Sequence, residues 1–401
     1  MYKRNIYLNK IRPFIGQPVI KVITGMRRVG KSCLLRQIIN LLKNDGISPE
    51  RILRIDKESL DFEHIKTYSD LNREVLAAFS GKEDPCFLIV DEVQEIEEWE
   101  RAVVSLAARG DIDIFISGSN AHLLSSELAT LISGRYIEIP VYSLGFAEHL
   151  QFSEKDRTSQ QDEFANFLRL GGMPATYHFE RDEELIHQYI GSVYNTILLK
   201  DIVKRHSIRN VALLENIARY LFDNIGNTLS AKRIADYLKA QRLRVGVDTV
   251  QNYLGYFTEA LLAHKVLRYD MKGKRHLELH EKYYLNEIGI RHALLGYREA
   301  DIGGILKNIV FLELKRRGYR VSIGKLGGRE VDFIATRQNE KIYIQVTYLL
   351  GSAETIEREF SVLKSIPDNY PKFVLSLDSV FGEDFDGIRR INLIDFLLSD
   401  F

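Results

Sequence analysis

The sequence predicts an α/β protein whose N-terminal part is a parallel, doubly wound sheet, and three observations carry that prediction. Short apolar, β-branched runs at residues 18–24, 51–56, 86–90 and 111–116 alternate with segments whose apolar residues recur at helical spacing. A glycine-containing loop, residues 25–32, joins the first run to the first helical segment. The run at 86–90 is continuously apolar, as buried parallel strands are, and it ends in two carboxylates.

The loop at residues 25–32 reads GMRRVGKS, which is the pattern G-x-x-x-x-G-K-[ST]. Glycine lets the backbone bend sharply and bring its N–H groups close to a polyphosphate, and the positive end of the following helix attracts the same charge. Lys31 supplies a cation for the β- and γ-phosphates, and Ser32 supplies a hydroxyl for Mg²⁺. A chance match in a turn would lack the flanking strand and helix, so we predict a P-loop NTPase domain. The predicted cofactor-binding residues are Gly25, Arg27, Arg28, Val29, Gly30, Lys31, Ser32 and Cys33.

Asp91 and Glu92 stand where the apolar run at 86–90 ends. In P-loop enzymes the aspartate at this place holds Mg²⁺, and a following glutamate can orient and deprotonate the attacking water. The alternative is that both residues are the acidic start of the next helix, where carboxylates are favoured. The buried strand before them favours the first interpretation, with Ser32 and Asp91 as metal ligands and Glu92 and Lys31 as catalytic residues.

Two further catalytic candidates follow the run at 111–116. A polar side chain at the end of that strand, Asn120 or Ser119, could sense the γ-phosphate, and ordinary turn chemistry is the alternative. A helix is predicted over 121–132. Arg135 could then reach a γ-phosphate, in its own chain or a neighbouring one, as an arginine finger, or it could be a structural or surface arginine.

At 401 residues the chain is too long for one ordinary core. Changes of character divide it into a P-loop domain at 1–150, a helical connector at 151–210, a winged-helix-like domain at 211–285 and an α/β domain at 286–401. Three helical stretches followed by a two-stranded hairpin predict the winged helix. Residues 231–276 contain ten Lys or Arg and four Asp or Glu, a net charge of +6 that suits double-stranded DNA. A surface for protein contacts or domain packing is the alternative.

The last region raises the question of a nuclease. Glu313, Asp332 and a residue near Gln345 could converge on one metal ion. Nuclease chemistry would require carboxylates for the metal and a lysine for the water, whereas this strand offers Gln345 and Thr347. We therefore predict a folded but inactive unit.

The overall composition argues against a membrane protein and against a protein with a large net charge. The net charge is zero, 45% of the residues are hydrophobic and 27% are charged, as in soluble globular proteins. No apolar run approaches the roughly 18 residues of a membrane span, and the N-terminus lacks a hydrophobic signal core, so we expect no membrane contact and a cytoplasmic location. Cys33 and Cys86 lie in apolar runs and are predicted to be reduced core residues.

Taken together, these motifs resemble those of the prokaryotic AAA-superfamily ATPases that carry a C-terminal domain of unknown function. The resemblance covers nearly the whole chain and rests on GMRRVGKS, FLIVDEVQE, ISGSN, SGRYIEIPVYSLGFAEHL, GGMP and GREVDFIA with IYIQV. It implies ATP with Mg²⁺ as the ligand, with Lys31, Ser32 and Asp91 in binding and Glu92 in hydrolysis. It also implies a restriction-endonuclease-like PD-(D/E)xK fold in the C-terminal region, with Asp332 at the aspartate of that motif.

The expected function is therefore that of an ATP-hydrolysing switch. Its nucleotide state would move the winged-helix and C-terminal regions toward DNA or a protein partner. Two alternatives stay open, an ATP-dependent metal nuclease and a DNA-binding regulator that binds nucleotide with negligible turnover. Assembly into a homo-oligomer, which is common among AAA relatives, stays open as well.

Overall fold

The computed structural model describes residues 2–82, 85–124, 134–153, 159–179, 182–378 and 384–399. The chain forms two compact units, of which one consists of Met1–Val141 with Glu259–Leu261 and the other of Tyr142–Thr258 with Leu262–Phe401. The first unit ends at Val141, short of the boundary expected at residue 150. The division of the remaining chain into three domains stays a prediction.

The first unit is built on a sheet of five parallel strands. They are β1 (Ile20–Thr24), β2 (Ile52–Asp56), β3 (Cys86–Asp91), β4 (Ile112–Gly118) and β5 (Tyr136–Pro140). Their order across the sheet is β2-β3-β4-β1-β5, and every neighbouring pair is parallel. All residues of β1, β3 and β4 are buried, so both faces of the sheet are covered. The predicted parallel sheet is confirmed.

The described helices of this unit cover the two faces of the sheet. They are α1 (Asn5–Ile11), α2 (Lys31–Asn44), α3 (Tyr68–Ala78) and α4 (Trp99–Arg109). Apolar side chains of α3 and α4 pack against alternate residues of the strands, such as Val22 and Ile116. The remaining strand residues are buried as well, and α2 contacts β3 and β4. This arrangement is the doubly wound one that the sequence predicts.

Two predictions for this unit concern the segment after β4 and the two cysteines. Ala121–Leu124 form a short 3₁₀ turn, and the rest of the helix predicted over 121–132 lies outside the described residues. Cys33 is exposed, whereas Cys86 is buried in β3. The prediction of a core role for Cys33 is wrong, because the buried stripe of α2 includes Leu34 and Ile38 and the helical period turns position 33 toward solvent.

The second unit contains most of the helices that the structure describes. They are α5 (Phe146–Phe152), α6 (Gln160–Leu170), α7 (Glu183–Thr196), α8 (Val211–Asp223), α9 (Ala231–Ala240), α10 (Val247–Glu259), α11 (Ile288–Leu295), α12 (Ile302–Arg316), α13 (Ala353–Lys364) and α14 (Leu393–Leu398). A π-helical segment, Ile197–Lys204, continues α7. Throughout the described ranges, no helix combines the length and the hydropathy that crossing a membrane requires.

The buried face of α7 includes Ile186, Ile190 and Val193, which recur at spacings of four and three residues. The side chain of Leu185, by contrast, is 48% exposed.

Polar residues mark the starts of two helices in the middle region. The Ser230 side chain accepts a hydrogen bond from the Arg233 N–H and so caps α9. Helix α10 begins at Val247, so Asp248 lies inside its first turn, where a carboxylate interacts favourably with the positive end of the helix.

The second unit has one sheet of eight strands. They are β6 (Thr228–Leu229), β7 (Ala263–Asp270), β8 (Arg275–Leu285), β9 (Arg320–Leu326), β10 (Arg329–Arg337), β11 (Glu340–Val346), β12 (Lys372–Ser376) and β13 (Ile388–Asn392). Their order is β13-β12-β11-β10-β9-β7-β8-β6. The predicted hairpin β7–β8 is present, and β7 also pairs in parallel with β9 over residues 268–270. The strands of the middle and C-terminal regions thus form one continuous sheet.

The C-terminal region combines helices with strands of the second sheet, as expected of an α/β region. Helix α12 precedes the antiparallel strands β9, β10 and β11, and α13 then connects to β12, which is parallel to β11. Strand β13 and helix α14 follow β12 along the chain. This order brings residues of β10 and β11 side by side, with Phe333 opposite Ile344.

Candidate functional site

The predicted phosphate-binding loop connects β1 to α2, as the sequence pattern requires. A Cβ atom on Gly25 would lie 2.4 Å from the Val141 carbonyl oxygen, so no larger residue fits there. Gly30 has φ of 100°, and Arg28, between the two glycines, also has a positive φ of 66°. The loop therefore has a backbone that L-residues rarely adopt, which is characteristic of a loop that turns its N–H groups toward a ligand.

Lys31 lies at the first position of α2, where its side chain is 4% exposed. Its ammonium group lies 3.2 Å from Glu92 Oε1, and it donates to the Met26 carbonyl at 3.3 Å. The loop and the end of β3 are therefore joined by an ion pair. A polyphosphate in this loop would compete with Glu92 for the same cation.

Asp91, the last residue of β3, has one oxygen atom that accepts no hydrogen bond from the described residues. Its Oδ1 accepts a hydrogen bond from Ser117 Oγ, while Oδ2 is buried without a hydrogen-bond donor among the described residues. An unsatisfied buried carboxylate oxygen costs free energy, and a hard divalent cation is a ligand that would satisfy it. With the Ser32 hydroxyl at the start of α2, this donor set fits Mg²⁺.

Glu92 is held by hydrogen bonds on several sides. Gln94 Nε2 and Ser119 Oγ both donate to its Oε2, the latter at 2.9 Å. The backbone N–H of Glu92 donates to Ser117 Oγ at 3.2 Å, and its φ of 54° is left-handed. These contacts fix the direction of the carboxylate at the end of β3. Such fixed geometry suits a residue that must orient a water molecule.

The charge state of Glu92 follows from its surroundings. Burial alone would raise the pKa of its carboxyl, but the Lys31 charge and the hydrogen bonds from Gln94 and Ser119 outweigh burial, so the pKa lies below its ordinary value. The carboxylate is therefore ionised at neutral pH and can accept a proton. The alternative interpretation of Asp91 and Glu92 as the start of a helix is wrong, since a short 3₁₀ turn follows them and α4 begins only at Trp99.

Sequence reasoning missed several neighbours of this site. Arg54 in β2 donates to Asp56 Oδ2 at 2.6 Å, and its guanidinium lies 3.9 Å from Asp91 Oδ2. Gln94 and Ser117 were missed as well. The available signal was the charged pair inside the strand sequence ILRID and the polar side chains where β4 ends. The register places β4 beside β3, with Val90 opposite Ile116, so Ser117 lies next to Asp91.

The two remaining catalytic candidates lie in different places. Asn120 is buried just after β4, and Ser119, the other candidate for this role, is the residue that contacts Glu92. Arg135 is exposed, and its carbonyl accepts from the Ile20 N–H at the amino end of β1. The loop leaves the opposite end of β1, about 16 Å away at roughly 3.3 Å per residue. The prediction that Arg135 contacts a phosphate in its own chain is therefore wrong, and a contact to a phosphate in a neighbouring chain stays a prediction.

The predicted metal site in the second unit does not form as expected. The Glu313 carboxylate accepts hydrogen bonds from Arg316 and Arg317, at 2.6 and 2.7 Å, and does not meet Asp332 at a common site. Across the described residues, no group of three or more His, Cys, Asp or Glu side chains is placed to hold a metal ion. The convergence of Glu313 with Asp332 and Gln345 is therefore wrong.

Asp332 instead belongs to a buried polar network. Its Oδ1 accepts from Lys307 Nζ at 2.5 Å, and its Oδ2 accepts from the Val346 N–H at 3.0 Å. Gln345 accepts from the Asp332 N–H at 2.6 Å and donates to Glu359 at 2.8 Å. The lysine thus comes from α12 and occupies one oxygen of Asp332. The sequence offered no signal for this pair, because the two residues are 25 positions apart and meet only in the folded unit.

The cations of the basic stretch 231–276 are mostly exposed. Those that face solvent are Lys232, Arg233, Lys239, Arg242, Arg244, Lys265, Lys272, Lys274 and Arg275. Lys265 forms an ion pair with Glu281. The other cations of this set are available at the surface, which is a requirement for contact with a phosphate backbone.

Comparison with known proteins places these features in a family. Residues 17–150 match the model of an AAA domain, and residues 161–301 match a domain of unknown function. An uncharacterized protein of Haemophilus influenzae is 34% identical over 99% of this chain and 99% of its own length. The uncharacterized protein MJ1544 of Methanocaldococcus jannaschii is 33% identical over 90% of this chain and 80% of its own length.

A solved structure shares the fold. The Walker-type ATPase PABY2304 of Pyrococcus abyssi is 15% identical and covers 73% of this chain and 96% of its own, with a TM-score of 0.52. The five-stranded parallel sheet and the loop after β1 are the elements typical of a P-loop NTPase. The N-terminal part of the chain is an AAA domain of the P-loop ATPase superfamily, and the chain belongs to the family of the relatives from H. influenzae and M. jannaschii.

Proposed function

We propose that the protein is a Mg²⁺-dependent ATPase whose nucleotide state controls the binding of a partner by the second unit. The observation that carries this proposal is the Lys31–Glu92 ion pair beside Asp91, whose buried Oδ2 accepts no hydrogen bond from the described residues. A cation, a base and a metal-ligand position meet at one end of the parallel sheet. These are the parts that phosphoryl transfer to water needs.

Different residues of the site bind the phosphates, hold the metal ion and accept the proton. Gly30 and the first N–H groups of α2 bind the phosphates, and Lys31 neutralises their charge. Ser32 and Asp91 would hold Mg²⁺, which supplies electrostatic stabilisation of charge on the β- and γ-phosphate oxygens. Once Lys31 turns to the phosphates, Glu92 Oε1 is free to accept a proton from the attacking water, while Gln94 and Ser119 keep its Oε2 in place.

Substitution of Glu92 tests the proposal. We expect Glu92→Gln to bind ATP with Mg²⁺ and to lose at least about a hundredfold in turnover, since general-base catalysis contributes roughly 10² to 10⁴. Single-turnover hydrolysis and ATP retention on the purified full chain measure both properties. Wild-type turnover by this variant would remove Glu92 from the role, and a wild-type protein without ATP affinity would overturn the proposal itself.

The partner we favour is double-stranded DNA. The exposed cations of residues 231–276 support this choice, and the three helices with the β7–β8 hairpin suit a winged-helix interpretation. A protein partner is the alternative outcome of the DNA-binding test in the Discussion. The Arg135 side chain, exposed at the amino edge of the sheet, would contribute only if a second copy of the chain binds there.

The C-terminal region is proposed to be a nuclease-like fold without cleavage activity. Helix α12, strands β9 to β11, α13 and β12 follow the order expected for that fold. Lys307 pairs with Asp332, and Gln345 replaces the second carboxylate, which argues against metal-dependent cleavage. Incubation of plasmid with the full chain, ATP and Mg²⁺ or Mn²⁺ should leave the DNA intact, whereas any cut dependent on Asp332 would favour the nuclease alternative.

A further inference from the structure

Arg4 is a buried cation that contacts the phosphate-binding loop from the N-terminal segment. It is 3% exposed, and its Nη1 donates to the carbonyl oxygen of Val29 at 2.9 Å. Its guanidinium stacks on the ring of Tyr7, with 4.5 Å from its carbon atom to the ring centroid. The motif that defines the loop begins more than twenty residues later, so nothing in that motif accounts for this contact.

The position of Arg4 is fixed by α2 as well as by the loop. The Arg4 backbone N–H donates to Gln37 Oε1 at 3.0 Å, and Gln37 Nε2 donates to the Tyr2 carbonyl at 2.7 Å. Gln37 lies on α2 and is itself 7% exposed. One glutamine therefore holds two backbone groups of the N-terminal segment against the helix that begins with Lys31.

The contact to Val29 has a consequence for the next residue. A peptide group is planar and trans, so its C=O and N–H bonds point in opposite directions. Arg4 draws the Val29 carbonyl to one side, and the Gly30 N–H must then point to the other. Among the described residues no backbone carbonyl accepts a hydrogen bond from Gly30, which leaves this donor available to an anion.

We propose that Arg4 is a positioning residue of the nucleotide site, because it orients the Val29–Gly30 peptide so that the Gly30 N–H faces the bound phosphates. This inference rests on the proposed binding of ATP at the loop. It extends the site to the N-terminal segment, since Gln37 holds the backbone of Tyr2 and Arg4 in place. Arg4 has this role because a guanidinium can both stack on Tyr7 and donate in a fixed direction.

The test compares two variants of Arg4 with a matched control in the same segment. Arg4→Met removes the donor and keeps an unbranched side chain, and Arg4→Lys keeps the charge without the planar fork. Arg12→Met is the control, because Arg12 is exposed and 3.8 Å from its ionic partner Asp45. Calorimetry of the full chain with ATP and Mg²⁺ should give affinities about tenfold weaker for Arg4→Met, as expected when one charge-assisted hydrogen bond is removed, and unchanged for the control.

A second readout separates orientation of the loop from stability of the fold. In the nucleotide-free protein, the ¹⁵N–¹H signal of Gly30 should shift in Arg4→Met and stay in place in Arg12→Met. If Arg4→Met does not fold, Arg4→Lys carries the same test, with a weaker ATP affinity and a shifted Gly30 signal as the supporting result.

Two results would overturn the inference about Arg4. One is wild-type ATP affinity in the Arg4 variants, and the other is a Gly30 signal that is the same as in the wild type. If the wild type itself binds no ATP, the proposed function fails, and the Gly30 signal of the nucleotide-free variants then decides alone whether Arg4 orients the peptide.

Discussion

Lys31 and Glu92 form a buried ion pair that joins the predicted phosphate-binding loop to the end of β3, with 3.2 Å between Nζ and Oε1. The Lys31 side chain is 4% exposed and that of Glu92 is 8% exposed. Under the proposed function, the cation that would bind the nucleotide is the one that contacts the proposed base. One movement of Lys31 would then both bind ATP and release Glu92.

The first prediction concerns Lys31. Lys31→Met should weaken ATP binding by about 10- to 100-fold, because it removes a charge-assisted hydrogen bond of roughly 1.5–3 kcal/mol. The variant also leaves the Glu92 carboxylate without its cation, so burial should raise its pKa. Calorimetric titration with ATP and Mg²⁺ measures the affinity. Lys43→Met is the control, since Lys43 is an exposed lysine near the other end of the same helix; equal losses in both variants would contradict the role of Lys31.

The second prediction concerns Gln94, whose amide donates to Glu92. Gln94→Met keeps the length of the side chain and removes the donor. We expect kcat to fall about tenfold while KM for ATP is unchanged, because Gln94 contacts the base and not the nucleotide loop. The donor stabilises the ionised form of Glu92, so its loss should move the acidic limb of the kcat profile to higher pH.

The profile of kcat against pH for Gln94→Met, beside that of Gln17→Met, is the measurement. Gln17 is exposed in the same unit, so its substitution should change neither kcat nor the profile. A Gln94 variant that changes KM alone, or that keeps the wild-type acidic limb, would show that Gln94 does not position Glu92.

The third prediction concerns DNA. Reversal of charge at two exposed cations of the β7–β8 turn, Lys272→Glu with Lys274→Glu, should weaken binding to a duplex and reduce its salt dependence. The slope of log K against log salt should fall by roughly 0.9 for each phosphate that the variant no longer neutralises. Fluorescence anisotropy at several salt concentrations gives the slope. The charge-matched pair Arg36→Glu with Lys43→Glu, exposed in the first unit, should bind like the wild type, and no duplex affinity in the wild type would favour a protein partner.

The fourth prediction concerns pH and the stability of the second unit. Burial lowers the pKa of His292 to about 4 in the folded protein, with the neighbouring Arg291 charge acting in the same direction. The unfolded chain binds the proton near the ordinary value of about 6.5. Between these values the unfolded state holds more protons, so stability falls as the pH falls from about 6.5 to 4.

Urea-induced unfolding at several pH values tests the contribution of His292. His292→Phe should lose less stability than the wild type over this range, by up to roughly 3 kcal/mol from the size of the pKa difference. His178→Phe replaces an exposed histidine of the same unit and should follow the wild type. Parallel pH dependence of all three proteins would contradict the assignment of the low pKa to His292.

Two of the sequence-based predictions conflict with patterns that the sequence itself contains. Arg135 precedes its strand, and in a parallel sheet the residues before a strand lie at the edge opposite to the loops that follow the strands. The predicted parallel sheet therefore already placed Arg135 away from the phosphate loop of its own chain. Cys33 was assigned to the core from the apolar character of its surroundings, although the helical period of Leu34 and Ile38 turns position 33 outward.

Other features could not have been predicted from the sequence. The bonds from Ser117 to Asp91 and from Ser119 to Glu92 exist because β4 is the neighbour of β3. The Lys307–Asp332 pair replaces the expected convergence of Glu313 with Asp332. In each case the partners are some 25 residues apart, and no local pattern specifies which distant side chains meet.

The amino-acid sequence alone determined the predicted phosphate loop, the buried strand that leads to Asp91 and Glu92, and the parallel character of the first sheet. These features are local, because glycine conformation, hydrophobic period and strand burial act over a few residues. The tertiary structure alone decided that Lys31 is paired with Glu92 and that Arg4 holds the Val29 carbonyl. Such contacts depend on strand order and helix packing, which are set by the burial of the whole core.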